Sequence, residues 1–327
     1  MTRANLRIAV ACATLAVTLA ARAESAPAPT PPPPAAASFK AALAAKAPLL
    51  GVARAGPRWV AVGDFGVVVL SDDDGRTWRQ AASVATRSML TAVTFVDART
   101  GFAVGHGGVV MQTADGGETW TRNHAAGADV VLLSVWFENA DHGIAVGAFG
   151  FAMATTDGGR TWKTFAVGEG DDHDRHLNAV FALPAGPLFI AAEAGTLFRS
   201  TDAGRTWAVV RLPYNGSVWG GMALSGGGAL VFGMRGHALR STDQGRTWAD
   251  VPTGTDQSWS GGLELADGTI VLVGLGGAVA TSADGGRSFN TMIRPDRQAL
   301  SAVGAGAPGQ LVVVGLAGAA LHRLPAP

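Results

Sequence analysis

At 327 residues, with 48% apolar and only 15% charged residues, the chain can bury a large core and is not a solvated, disordered tail. Lysine plus arginine equals aspartate plus glutamate at 25 each, so no basic excess points to nucleic acid. The 45 glycines favour many short strands and tight turns over long helices.

The chain opens with Arg3 and Arg7, then the apolar run Ile8 to Ala20, then the small-x-small triplet Ala21-Arg22-Ala23. That order predicts a secretory signal peptide over 1–23, shorter in its apolar run than the ~20 residues a spanning helix needs. Cys12, the only cysteine, falls inside it. The mature chain would carry no disulfide, thiolate metal site or thiol nucleophile. Without Arg3, Arg7 and Arg22 it would hold 22 basic against 25 acidic residues. Residues 24–37 include Ser-Ala-Pro-Ala-Pro-Thr-Pro-Pro-Pro-Pro, which favours extended polyproline II and reads as a stiff linker.

From residue 38 a period takes over. The box Ser/Thr-x-Asp-x-Gly-x-Thr/Ser-Trp/Phe occurs six times. Its aspartates are Asp73, Asp115, Asp157, Asp202, Asp243 and Asp284, and its glycines Gly75, Gly117, Gly159, Gly204, Gly245 and Gly286. Its aromatics, Trp78, Trp120, Trp162, Trp207, Trp248 and Phe289, recur every 41 to 45 residues. A catalytic residue is needed once, so a residue written six times is more simply one that holds a repeat together. Between boxes lie short Val-, Phe- and Thr-rich runs bounded by Gly and Asp, the pattern of strands and hairpins. Four antiparallel strands per period of about forty residues make one propeller blade. Six blades carry boxes, and Leu300, Gln310 and Ala319 begin three further strands without one. The expected fold is all-β: a seven-bladed propeller over 38–327, its last blade completed by an N-terminal strand drawn from Ser38–Lys46. Asp in the box can accept backbone N–H groups, Gly can take positive φ, and the aromatic can wedge between blades.

This pattern is the Asp-box, or bacterial neuraminidase repeat, and the chain resembles the exported propellers that carry it. Among these are sialidases and the photosystem II stability/assembly factors of plants and cyanobacteria. The resemblance implies that the box is a structural turn on the face away from the ligand site. Blade length, box number and export are most similar to the assembly-factor family. That likeness implies a non-enzymatic scaffold, periplasmic or lumenal, that binds a membrane-protein client. In photosynthetic organisms the family binds a newly made photosystem II reaction-centre subunit; elsewhere the client would be another membrane complex, such as an exporter. The family is noted for an arginine-rich patch that contacts the client, carried over here by residue type alone.

The face opposite the boxes would carry the turns between second and third strands, written Gly-x-x-Gly in most blades, and the links between blades. The variable tip residues include Asp64, Phe65, His106, Phe149, Glu193, Met234 and Arg235. Arginines recur nearby at Arg87, Arg175, Arg211, Arg235, Arg294 and Arg297, whereas lysine occurs only at Lys40, Lys46 and Lys163. Guanidinium groups suit planar carboxylates and protein interfaces, so these six are the candidate partner-binding residues. The link Gly168–His176 (Gly-Glu-Gly-Asp-Asp-His-Asp-Arg-His) reads as a solvated loop, with cation ligation as its sharper reading. A sialidase-like hydrolase would need a tyrosine nucleophile, an acid and an arginine triad. Tyr214, Glu193, Arg211, Arg235 and Arg294 supply the residue types, but the Arg-Ile-Pro motif of that family is missing. A carbohydrate-binding propeller would use Trp136, Trp219 and Trp259. No catalytic residue, metal or cofactor is assigned, and the expected state is a monomer without direct membrane insertion.

Overall fold

The computed structural model describes residues 36–324. The expected signal peptide and most of the linker lie outside the described residues. What is described is a seven-bladed β-propeller. Blade 1 contains strands Leu49–Ala55, Arg58–Gly63, Val68–Ser71 and Arg79–Gln80, paired antiparallel in chain order. Blade 2 repeats this over Leu90–Phe95, Gly101–Gly105, Val109–Thr113 and Thr119–Ala125, with a short parallel fifth strand, Ser83–Val84, at its outer edge. The first strands of blades 3 to 6 are Leu132–Phe137, Leu177–Ala182, Val218–Ala223 and Trp259–Glu264. Among the described residues blade 7 has three strands, Leu300–Ala305, Gln310–Gly315 and Gly318–Arg323.

The core is not one mass but seven apolar clusters, one at each junction between neighbouring blades. Val60 and Leu70 of blade 1 meet Met111 and Trp120 of blade 2, and Phe189 of blade 4 meets Leu239 and Trp248 of blade 5. The last cluster joins Val314 and Ala319 of blade 7 to Leu49, Ala61 and Val69 of blade 1. Second strands are buried along their whole length, as in Gly101–Gly105 and Ile270–Gly274. They read as continuous apolar runs because a blade is covered on both faces.

The Asp-box is a closed circuit of hydrogen bonds. In the third blade the Thr155 hydroxyl donates to Asp157 Oδ1 at 2.9 Å and accepts the Gly159 N–H at 2.9 Å. Asp157 then accepts the Thr161 N–H at 2.9 Å and the Thr161 hydroxyl at 2.6 Å. The Trp162 indole donates to the Gly159 carbonyl at 3.1 Å. The same circuit recurs around Asp73, Asp115, Asp202 and Asp243. It recurs around Asp284 too, where Phe289 has no indole to add the last bond.

The box also touches the preceding blade. Gly245 has φ +75°, and a Cβ there would lie 2.2 Å from the Phe189 ring of blade 4. A Cβ on Gly75 would lie 2.8 Å from Val312 and 3.1 Å from Leu321, both in blade 7. Blade 1 therefore receives its predecessor with the same contact as the interior junctions, and the ring closes through it.

Among the described residues, no N-terminal strand closes the last blade. Residues 38–46 hold no strand; Ala44–Lys46 form a single 3-10 turn. Ala44, Ala45 and Ala47 join the apolar cluster between blades 7 and 1. The Ala45 carbonyl sits where a side chain on Gly318 would point. Alanine has low strand propensity and favours helical backbone, so this segment covers the edge of blade 7 with a turn instead of extending it.

Two expectations follow. Gly245→Ala and Gly254→Ala both place Cβ on a left-handed backbone, at φ +75° and +72°, but Gly254 has nothing within 4 Å. Gly245→Ala is expected to be the more destabilising by about 1–3 kcal/mol, the cost of overpacking, in denaturant melts of the two variants. The second concerns acid. Bonds from the Thr77 hydroxyl and N–H hold Asp73 at about 2, and the matching threonines hold Asp157 and Asp202 at about 2. Thr247 holds Asp243, and Ser282 with Ser288 holds Asp284, well below the usual carboxylate range. A depressed carboxyl stabilises the fold above its unfolded value of about 3.9 and loses that contribution as pH falls through the folded value. The melting midpoint should be flat above about pH 5 and fall between about pH 4 and pH 2; Asp157→Ala should lower it at neutral pH.

Candidate functional site

Antiparallel pairing puts the six boxes and the first hairpin turns at one end of the blades. The second-to-third strand turns and the blade links lie at the other. This tip face carries the candidate arginines and the variable tip residues.

The tips share a backbone. The third residue of six of the seven is left-handed: Phe65 (φ 50°), Gly107 (71°), Phe149 (54°), Ala194 (51°), Arg235 (54°) and Gly276 (62°). Glycine takes this conformation freely; other residues pay roughly 1–2 kcal/mol. The tips of blades 3 and 5 lean on the link that follows. The Phe149 N–H donates to His176 Nδ1 at 3.1 Å, and the two rings meet edge to face at 4.7 Å. The Arg235 N–H donates to Ser258 Oγ at 3.1 Å. The Phe65 N–H donates to the Asp64 carboxylate at 2.9 Å, and the Phe65 carbonyl accepts the Ser38 hydroxyl at 3.2 Å.

The six arginines divide into two sets. Arg175 Nε and Arg211 Nη2 grip the two oxygens of Asp172 at 2.6 and 2.5 Å, and Arg211 also donates to Thr196 Oγ1 at 2.6 Å. Arg294 pairs with Asp296 at 2.6 Å. Arg87 donates to the Ala37 carbonyl at 2.8 Å and lies 3.7 Å over the Phe39 ring. Among the described residues, Arg235 and Arg297 pair with no carboxylate, and both are exposed. Both also have left-handed backbone, Arg297 at φ 49°. Residue type picked out all six equally; only the acceptor geometry separates occupied guanidiniums from available ones.

The link Gly168–His176, expected as a solvated loop, is exposed at Glu169–Asp171 and at His173 and Asp174 but anchored between them. Gly170–Asp172 make a 3-10 turn, and Asp172 is buried between its two arginines. Its carboxyl is held below the ordinary range, first by the bond from Arg211 and then by Arg175, with burial opposing. The available acid therefore serves two guanidiniums. Among the described residues no cluster of His, Cys, Asp and Glu suited to a metal ion is present.

Tyr214, Asn215, Met234, Arg235 and His237 line a depression of about 450 Å³. The Tyr214 ring stacks on His237 at 4.0 Å, and its hydroxyl donates to the Met234 carbonyl at 3.0 Å. Burial pushes the phenol up, with Arg235 opposing, which is the reverse of an activated nucleophile. Glu193 accepts the His176 N–H at 3.1 Å. Trp259 is buried with its indole on the Gly236 carbonyl at 3.1 Å, so its face is not open to a sugar.

A family model described as photosynthesis system II assembly factor YCF48 matches residues 125–261. Over that span, less than half of the chain, the sequence is similar to photosystem II assembly factors. The matched span runs from the end of blade 2 into blade 6 and includes the Asp172 clamp and the Tyr214 depression. Among solved structures, one titled YCF48 bound to D1 peptide covers 90% of this chain and 98% of its own at 16% identity, TM-score 0.69. YCF48 from Cyanidioschyzon merolae covers 86% and 96% at 16% identity, TM-score 0.67. Streptogramin B lyase covers 85% and 94% at 11% identity, TM-score 0.71. These likenesses speak for the ring itself, which serves a lyase as well as a peptide-bound assembly factor. No curated protein matches the chain. Among the described residues, no helix is long and apolar enough to cross a membrane.

The Asp172 clamp ties the link between blades 3 and 4 to the last strand of blade 4, so its loss should be felt in stability. Asp172→Asn is expected to cost about 1–3 kcal/mol, because two guanidiniums lose their charged acceptor. Arg235→Ala, with no acceptor to lose, should leave the denaturation midpoint within about 0.5 kcal/mol of the parent.

Proposed function

We propose that this propeller is an exported, non-enzymatic scaffold that holds a membrane-protein client during assembly of a membrane complex. The observation that carries the proposal is the assembly-factor match over residues 125–261, supported by the likeness to a YCF48 structure with a bound D1 peptide. The geometry is consistent with it. The tip face is rigid, exposed and supplied with guanidiniums that have no internal acceptor, which is what a binding surface for a carboxylate-bearing chain requires. The assembly-factor resemblance favours a scaffold over a sialidase-like hydrolase, and the position of Tyr214 points the same way. The client follows the host: a photosystem II subunit where there is one, another membrane complex such as an exporter where there is not. Residues 1–23 would direct export and be removed, 24–37 would act as the spacer, and the folded domain would work as a monomer in the periplasm or lumen.

The test is an affinity pull-down from solubilised membranes of the host, with the parent beside the Arg235→Ala/Arg297→Ala variant. The parent should retain a defined membrane complex, and the variant, melting at the same temperature, should lose most of it. Equal retention would remove the arginines from the contact. No retention by either, with turnover of a fluorogenic sialoside, would replace the scaffold by a hydrolase. N-terminal sequencing of exported protein should begin at Glu24.

A further inference from the structure

The strained tips assign a chemistry to the partner. At one register of the repeat the chain uses glycine in blades 2 and 6, alanine in blade 4, and a large side chain in blades 1, 3 and 5. Phe65 is 67% exposed and Phe149 is 73% exposed, so neither gains burial in return for its left-handed backbone. Neither residue is needed to shape the turn, because Gly107 and Gly276 make the same turn without a side chain. Strain that persists at exposed, bulky positions is typical of ligand-contacting sites. The Phe149 ring packs edge to face on His176, and the Phe65 backbone is held through its carbonyl by the Ser38 hydroxyl.

Charge narrows the partner further. Of the six candidate arginines, those exposed and without a carboxylate partner or other side-chain bond among the described residues are Arg235, on the tip of blade 5, and Arg297, in the link after blade 6. The tip carboxylates Asp64 and Glu193 are instead turned onto backbone N–H groups. A surface with raised aromatic anchors and unpaired guanidiniums complements apolar side chains interspersed with carboxylates. The anchors belong to separate blades around a ring, which suits an extended chain over a compact small molecule. An anionic membrane is a poorer fit: lysine is nearly absent and basic and acidic residues balance at 25 each.

We propose that Phe65 and Phe149, with Arg235 and Arg297, are the anchors by which the tip face grips an extended protein segment carrying apolar side chains and carboxylates. This rests on the scaffold reading and names the chemistry of what is held. Exposed Leu275 and Leu316, on the tips of blades 6 and 7, extend the same apolar ring.

The repeat supplies its own control. Phe65→Gly/Phe149→Gly removes both rings and relieves both backbones, and Ala194→Gly relieves the same backbone where there is no anchor. All should melt at or above the parent temperature, since freeing a left-handed residue outweighs the added freedom of the unfolded chain. Binding is read by fluorescence anisotropy with labelled 15-residue peptides of alternating Leu and Asp, spaced by Gly. Companion peptides carry Lys for Asp or Ser for Leu. Vesicles of phosphatidylcholine and of phosphatidylglycerol are tested beside them. The proposal expects the Leu/Asp peptide to bind the parent at least tenfold more tightly than either companion. It expects the double phenylalanine variant to lose that binding at least tenfold while Ala194→Gly keeps it. Unchanged binding by the double variant, or no preference among the peptides, would overturn it. So would a lowered melting temperature, which would make the rings structural. Vesicle binding that disappears with the rings would mark the face as a lipid contact instead. If the host pull-down retains its complex with the double variant in full, the anchors are wrong and the scaffold reading stands. If the parent retains nothing there, the scaffold reading fails on its own.

Discussion

The structure depends on a carboxylate that answers its own turn. Each box aspartate binds a hydroxyl two residues before it and a hydroxyl and N–H four residues after it. A turn satisfied in this way asks nothing of solvent or of the neighbouring blade. Its glycine can therefore be pressed against the preceding blade without leaving backbone groups orphaned. The apolar clusters at the junctions supply the driving force, and the boxes set how closely adjacent blades approach. Repetition makes this effective: each blade is stabilised mainly by its two neighbours, so the ring is a sum of similar junctions.

This arrangement divides labour between the two ends of the ring. At the box end the polar side chains are committed to local bonds and repeat nearly unchanged. At the tip end the glycines keep the backbone geometry while the residues between them vary. Variation there costs the scaffold little, except where a phenylalanine or arginine is placed on a backbone that favours glycine. A binding surface can in this way be written onto a ring whose own stability is settled elsewhere.

The seven-bladed ring was legible from the sequence because periodicity and box chemistry carry it. Asp157 with Thr155 and Thr161 is local in sequence, so its geometry can be deduced from the string. The last blade was less legible. Three strands and an open edge suggest a borrowed fourth strand, but the Ala-rich segment that reaches the edge prefers a turn. The site was least legible. Arg175 and Arg211 are 36 residues apart and meet on Asp172, an aspartate that reads as a loop residue. Which arginines keep a free guanidinium is a fact of tertiary contact. The strain at Phe65 and Phe149 did leave a trace: their tips read Gly-x-Phe-Gly where those of blades 2 and 6 read Gly-x-Gly-Gly.

The seam between blades 7 and 1 has a mechanical meaning. In many closed rings a shared strand would put a ladder of backbone hydrogen bonds in shear across the joint. Here the joint is held by side-chain contact and a clip of alanines over the edge of Gly318–Arg323. Tension applied through the segment at 36–47 is resisted by contacts that peel one at a time, and peeling needs little force compared with shearing a ladder.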